Sequence, residues 1–412
     1  MKKNENLLKI EGKLYTPQNP LIIAELGTSH NGELSKAKSL VNVAQDSGAD
    51  CIKVQMVYAD EILHPNTGIV PLPGGNIRLY DQFKKLEKEP DFYIEVKKYA
   101  ESKGILFLCT PFGLKSASIL REMQPKMVKI ASPELNFTSL LEEIADWGVP
   151  ALLSSGVSTL ADIERAVEVF KNKKTNSTTN QHEPSVGRRT EIRERSTSSC
   201  GLWLKNVCLL HCVTAYPAPE TDYNLRVLPN LASVFGVSVG VSDHSSDPQL
   251  VPALSAAMGA CVIEKHFCLS RNDPGLDDPI ALEPQAFSIM VNAVRRAAEE
   301  GSEETINRYS REKGSELIEQ ILGSGVKELA PSEKDNYNRT NRSIHTLRDI
   351  QKGEVLKKED FAVLRTEKVL RPGLEPYWEN ALIGRTVQDF IPAGEGIRFE
   401  DVKNLEINTP QL

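Results

Sequence analysis

The sequence lacks the features that mark several protein classes. No apolar run approaches the roughly 20 residues needed to cross a bilayer. Residues 1–9 are polar and charged, without the apolar stretch of a secretory signal. Positive charge is not in excess, since 49 Lys and Arg stand against 56 Asp and Glu, a net −7. The expectation is a cytoplasmic protein that binds neither nucleic acid nor an anionic membrane. No C-x-x-C occurs among the seven cysteines, Cys51, Cys109, Cys200, Cys208, Cys212, Cys261 and Cys268. Most sit in apolar, strand-like runs and read as buried small hydrophobes, not as a disulfide or zinc framework. No G-x-G-x-x-G follows the first strand and no G-x-S-x-G elbow is present, which argues against dinucleotide binding and serine hydrolysis.

What is present is a repeat. The chain has 412 residues, a prior of two or three domains at ~150 residues each. Apolar runs at 21–25, 51–55, 105–109, 127–130, 151–154, 207–211, 237–241 and 261–264 read as strands. Amphipathic stretches such as 35–47, 91–103, 115–123, 159–170 and 248–258 lie between them. Strand-then-helix repeated in this way predicts a closed (β/α)8 TIM barrel over residues 1–300, with an open doubly wound sheet as the alternative. Residues 171–206 break the repeat with eight Lys or Arg against three Glu, the composition of a mobile insertion or, alternatively, a polyanion patch. Residues 301–340 read as a helical segment and linker. Residues 341–412 read as a small β-rich domain whose short runs and turn signals span about 65 residues from 343 to 404, a size that leans on a neighbour for its core.

Reacting groups of such a barrel sit at the carboxyl ends of the strands. Those ends are polar throughout: Glu25, Lys53 with Gln55, Thr110, Lys129 with Ser132 and Glu134, Ser154, Tyr216, Ser242 with His244, and Glu264 with His266. Lys53 and Lys129 interrupt apolar strands, where a charge is costly unless paired. With Thr110, Ser132, Ser154 and Ser242 they form a candidate cradle for a phosphate or carboxylate. Pairing with Glu25 or Glu134 in a structural network, or a Schiff-base lysine, are the other readings. His244 and His266 end consecutive strands, so their backbones lie about 5 Å apart. With Glu25 or Glu134 opposite they suit an open site for a divalent cation, Mn²⁺ or Mg²⁺, in Lewis-acid work. His211 reads as a core histidine.

Ordered motifs then add a resemblance. Ile23-Ala24-Glu25-Leu26-Gly27, His30-Asn31-Gly32, Lys53-Val54-Gln55, Cys109-Thr110-Pro111-Phe112 and Lys129-Ile130-Ala131-Ser132-Pro133-Glu134 are similar to those of the sialic acid synthase family. So are Leu153-Ser154-Ser155-Gly156, Leu210-His211-Cys212, Tyr216-Pro217-Ala218-Pro219, Val241-Ser242-Asp243-His244 and Ile263-Glu264-Lys265-His266-Phe267. Asn341-Arg342-Ser343-Ile344 and Arg371-Pro372-Gly373 resemble that family's C-terminal antifreeze-like (SAF) domain.

The resemblance implies condensation of phosphoenolpyruvate with an N-acylated hexosamine such as N-acetylmannosamine, giving a nine-carbon 2-keto acid and phosphate. It implies that Lys53, Thr110, Lys129, Ser132, Ser154 and Ser242 hold phosphoenolpyruvate, and that His244 and His266 bind Mn²⁺. Glu25 and Glu134 would orient the attacking water and move protons, while Gln55, Tyr216, Asp277 and Arg342 would meet the sugar. It also implies a domain-swapped homodimer, with Arg342 reaching across. Thr214, where the family usually carries Asn, resembles legionaminic and pseudaminic acid synthases, which use a diacetamido-trideoxyhexose. A Schiff-base aldolase and a catalytically silent carbohydrate-binding protein remain the alternatives.

Overall fold

The computed structural model describes residues 7–72, 75–177 and 206–403. Eight strands form one sheet with every pairing parallel: β1 (Leu21–Glu25), β2 (Cys51–Met56), β3 (Leu106–Pro111), β4 (Val128–Ile130), β5 (Ala151–Ser154), β6 (Val207–Cys212), β7 (Ser238–Asp243) and β8 (Val262–His266). The order β3-β2-β1-β8-β7-β6-β5-β4 joins the first strand to the last. Its two ends, β3 and β4, lie side by side, so the sheet is a nearly closed barrel.

The helices that alternate with or follow these strands include α1 (Leu34–Asp46), α2 (Pro90–Ser102), α3 (Leu114–Glu122), α4 (Thr138–Ala145), α5 (Leu160–Ser177), α6 (Val227–Phe235), α7 (Leu250–Ala257) and α8 (Pro284–Glu300), with shorter helices at Ala59–Ile62 and Leu79–Leu86. Local chemistry sets their starts. Thr159 and Asp162 cap α5 reciprocally, each side chain accepting the other's backbone N–H. Asp247 accepts from the amides of Gln249 and Leu250 ahead of α7. Along α8 the buried residues Phe287, Met290, Val291, Val294 and Ala297 recur at helical spacing. No helix among the described residues is long and apolar enough to cross a membrane.

The barrel interior has two layers. Its floor packs Leu21, Ile23, Cys51, Leu108, Cys208 and Cys261 against Leu8, Ile10 and Tyr15 of an N-terminal hairpin. Its upper layer is polar. Several strands therefore run further than their apolar residues suggest: Thr110, Cys212, Ser242, Asp243, Lys265 and His266 all lie within strands. The six described cysteines are buried and free. Of the basic segment, α5 takes in residues up to Ser177, while 178–205, with Cys200, lie outside the described residues.

After α8, helices α9 (Ser302–Lys313) and α10 (Ser315–Leu322) pack beside α7 and the loop after β6. A linker then crosses the mouth of the barrel to the C-terminal domain. That domain pairs β9 (Arg342–Thr346) with β10 (Phe361–Arg365) antiparallel, and four isolated bridges join its remaining segments. Its core, including Ile344, Leu356, Val363, Leu374 and Val387, is continuous with the barrel's apolar cluster. The small domain thus obtains its support from the barrel of its own chain.

Three buried histidines bear on acid stability. His345 Nδ1 donates to Gly394 O at 2.7 Å, and its Nε2 meets Ser343 Oγ and Thr366 Oγ1. Burial pulls His345 and His30 down to about 4 and His211 to about 3. These groups fold neutral but charge near 6.5 when unfolded. Their stabilisation is complete above pH 6.5 and is lost as pH falls toward 4, by about 3 kcal/mol for His345 alone. Urea titrations from pH 7.5 to 4.5 should show this decline, and His345→Asn should flatten it. An unchanged slope in that variant would reject the assignment.

Candidate active site

Parallel register brings the polar strand ends together. Glu25 is paired in register with His266 on one side and with Lys53 on the other. Ser242 stands between Cys212 and Glu264. Because side chains alternate along a strand, Lys53 with Gln55, Ser242 with His244, and Glu264 with His266 each face the same way. They line a cavity of about 370 Å³ at the carboxyl end of the barrel, together with Lys129, Ser132, Ser154, Tyr216 and Asp277.

The lysines are paired as well as buried. Lys53 Nζ donates to Glu25 Oε2 and lies 3.8 Å from Glu264 Oε1. Lys129 Nζ donates to Glu264 Oε1 at 3.1 Å, and Ser242 Oγ donates to the same atom at 2.9 Å. Gln55 Nε2 donates to Glu25 Oε1 at 2.7 Å. The sequence offered an anion cradle or a Lys–Glu network, and the structure contains the second within the wall of the cavity. Burial raises Glu25, with Lys53 opposing. Burial alone would also raise Glu264, but Lys129 and Lys53 hold it at about 2. Burial works against the charge of Lys53, yet Glu25 and Glu264 raise its pKa, whereas Lys129 is lowered by burial.

Hydroxyls complete this wall. Ser154 Oγ and Thr214 Oγ1 of the lining are buried and carry no protein partner; Thr110 Oγ1 is also buried and unpartnered, but Thr110 does not line the cavity. Such groups are rare in folded proteins, and in a cavity wall they are free to bond water or a ligand.

The histidines line the same cavity. Val213 O can only accept, so His244 Nδ1, 2.9 Å away, must donate to it. That fixes the tautomer with Nε2 free as a ligand. The His244 and His266 rings lie 5.4 Å apart by centroid, and Tyr216 stacks on His244 at 4.3 Å. Asp277 Oδ2 is 3.8 Å from His266 Nδ1, and burial beside Glu25 pushes Asp277 up to about 6. Gly27, at φ +50°, packs 3.3 Å from Asp277 Oδ2 where a side chain would stand. The imidazole pair fits an open divalent site. Among the described residues no cluster of three His, Cys, Asp or Glu closes it, so the remaining ligands would be water and substrate.

Arg342 stands apart from the other candidates for the sugar site. It does not line the cavity: its guanidinium is fully buried behind Glu134, bonding Glu134 Oε1 and the carbonyls of Glu61, Phe112 and Val363. Its register partner on β10, Arg365, also holds Glu134 Oε1, at 2.8 Å, and lines the cavity beside Glu367 and Lys368. In the strand pair both arginines point the same way, and Arg365 is the one at the open side. Glu134 is bracketed by the two guanidiniums through Oε1, while its Oε2 has no partner. His211 donates from Nε2 to Tyr223 O and lies outside the cavity wall.

Comparison with known proteins decides the family. The NeuB family model matches residues 40–305, and the SAF domain model matches residues 341–403. The chain belongs to the NeuB family. An N,N′-diacetyllegionaminic acid synthase of Campylobacter jejuni is 32% identical over 84% of this chain and 90% of its own. The crystal structure of the spore coat polysaccharide biosynthesis protein SpsE of Bacillus subtilis superposes with TM-score 0.73 at 29% identity, covering 96% of this chain and 99% of that one. The N-acetylneuraminic acid synthetase of Leptospira borgpetersenii superposes with TM-score 0.59 at 28% identity, covering 81% and 95%. This NeuB-family chain therefore has synthases of nonulosonic acids among its relatives, and its C-terminal domain is a SAF domain.

Sequence reasoning assigned no role to Glu264, although its period-two spacing from His266 placed it on the same face. It gave no role to Arg365 or Lys368 either, since nothing local to residues 361–368 marks which arginine faces a barrel 200 residues earlier in the chain.

Proposed function

We propose that the protein is a nonulosonic acid synthase, condensing phosphoenolpyruvate with an N-acylated aldose in its open-chain form. The observation that carries this is a single cavity lined by two buried lysines, by the unpartnered hydroxyls of Ser154 and Thr214, and by two imidazoles. Lys53, Lys129, Ser132, Ser154, Ser242 and Thr110 would hold phosphoenolpyruvate, with Thr214 as a further hydroxyl. His244 and His266 would hold a divalent cation such as Mn²⁺ or Mg²⁺, which when bound polarises an aldehyde oxygen. Gln55, Tyr216 and Asp277, with Arg365 in place of Arg342, would orient the sugar.

In this reaction C3 of phosphoenolpyruvate bonds to the aldehyde carbon, whose oxygen takes up a proton. C2 is left electron-poor. Water adds there and loses one proton; the C2–O bond to phosphate then breaks with its electron pair leaving on phosphate, while the new C2 hydroxyl becomes the keto oxygen and its proton passes to the departing phosphate. Glu25, raised by burial and bonded to Lys53 and Gln55 behind the cavity lining, would orient that water and accept its proton. Lys129 and Lys53 stabilise the departing phosphate. Glu134 instead fixes the two arginines of the SAF domain.

The apolar part of the lining favours a particular sugar. Val70, Leu79, Phe83, Phe112, Leu276 and Ile280 present apolar surface to the cavity, where a hydroxyl would be stranded but an acyl or C6 methyl group would pack. This supports a diacetamido-trideoxyhexose over N-acetylmannosamine. Phosphate release should be assayed with phosphoenolpyruvate, Mn²⁺ and both sugars, with the products weighed by mass spectrometry. Turnover is expected with the diacetamido sugar preferred by about tenfold or more in kcat/KM. No turnover with any N-acyl aldose would reject the reading. Binding without turnover would support a silent sugar-binding protein, and a borohydride-trapped adduct on Lys129 or Lys53 would support an aldolase.

A further inference from the structure

The linker between α10 and the SAF domain makes an unusual attachment to the barrel. The β5–β6 ladder ends at Leu210 and Ser154, and the Ser155 amide adds one more bond to Leu210 O. Beyond it the loops carrying Gly156-Val157 and Thr214 are joined through one linker side chain. Glu333, only 1% exposed, accepts from Val157 N at 3.0 Å and Thr214 N at 2.9 Å on the same oxygen, Oε2. Its Oε1 accepts from Ala330 N. Two linker asparagines bind the matching carbonyls: Asn341 Nδ2 donates to Val157 O and Asn336 Nδ2 to Thr214 O. Both backbone polar groups of Val157 and of Thr214 are thus satisfied from the linker.

The clasped backbone is strained and sits against the anion wall. Val157 has φ +42°, a left-handed conformation that a β-branched residue holds only where its surroundings impose it. The preceding Gly156 donates its amide to Ser132 Oγ at 3.0 Å. A methyl on Gly156 would meet Thr214 Oγ1 at 2.1 Å, Ser132 Oγ at 2.9 Å and Cys212 Sγ at 3.1 Å. Gly156 is therefore the packing centre of the corner formed by Ser132 and Thr214, and its position depends on Val157.

We infer that Glu333 is a positioning residue: by clamping Val157 and Thr214 it holds the Ser132–Gly156–Thr214 corner in the shape that receives the phosphate-bearing substrate. The inference rests on the synthase reading for the identity of that substrate, but not for the clamp. Asn336 also accepts from Lys368 at 2.6 Å, so the same linker ties this corner to the SAF wall of the cavity.

The test uses the full-length Glu333→Ala and Glu333→Gln variants, compared with wild type. Hydrogen exchange is read by mass spectrometry on peptides spanning 151–163 and 207–218, without substrate. Phosphoenolpyruvate affinity is read by calorimetry, and KM is measured for each substrate. Exchange at Val157 and Thr214 should quicken by about tenfold or more in Glu333→Ala, the loss of a charge-assisted bond. KM for phosphoenolpyruvate should rise about tenfold, kcat and sugar KM should stay within about twofold, and Glu333→Gln should fall between. Unchanged exchange in both peptides, or equal rises in the two KM values, would overturn the inference. If wild type binds no phosphoenolpyruvate, the synthase reading fails, and the exchange comparison still decides whether Glu333 is the clamp.

Discussion

Replacing Lys129 with alanine is expected to lower phosphoenolpyruvate-dependent turnover by about a thousandfold, the upper end for removing one preorganised electrostatic contact in a buried site. The same change should destabilise the fold. Lys129 is 2% exposed and its ammonium faces Glu264 at 3.1 Å. Without it Glu264 keeps Ser242 and a more distant Lys53 at 3.8 Å. A buried carboxylate stripped of its main partner costs about 3–5 kcal/mol. Catalytic and structural effects are separable in a double-mutant cycle. Adding Glu264→Gln to Lys129→Ala removes the uncompensated charge and should restore most of the stability, measured by urea unfolding, but none of the turnover. If activity returned along with stability, Lys129 would be a structural partner and no part of the anion wall.

His266→Ala carries the second large effect. Burial together with His244 pulls the His266 imidazole well below its ordinary value, so the ring is neutral and its loss leaves no unpaired charge. The fold should survive, with an unfolding midpoint close to that of wild type. Turnover should fall at least about a hundredfold, as one of only two protein ligands to the proposed cation is lost. Calorimetric titration with Mn²⁺ alone should show affinity weakened by more than about tenfold. Unaltered Mn²⁺ affinity with lost turnover would make His266 a substrate contact and not a ligand. Unaltered turnover would remove it from the site.

Much of the candidate site was legible because a barrel concentrates its chemistry at known positions. Lys53 and Lys129 stood out as charges inside apolar strands, and the structure lines the cavity with both. Ser154 and Ser242 follow the same logic, since each lies in the last residues of a strand and faces inward by period two, whereas Ser132 reaches the cavity from the 3-10 turn after its strand. What could not be read was pairing. Glu264 lies 135 residues from Lys129 and Glu25 lies 28 from Lys53, and only strand order and register make them partners. Arg342 and Arg365 show the same limit: which guanidinium is entombed behind Glu134 and which lines the cavity depends on how the SAF domain docks.

The sequence by itself determined the alternation of strands and helices, because hydrophobic periodicity is a local property enforced by burial on both faces of each strand. It also determined which residues could carry chemistry, because a polar side chain inside an apolar run must be satisfied by a partner or a ligand. Only the tertiary structure decided which of these residues oppose one another. The Lys–Glu network in the cavity wall, the tautomer of His244, the presence of Arg365 and not Arg342 in the cavity lining, and the bonds of Glu333 to the loops of Val157 and Thr214 all join segments distant in the chain. Their geometry is set by barrel closure and by the path of the linker across its mouth, where a few ångströms of register separate a salt bridge from a substrate contact.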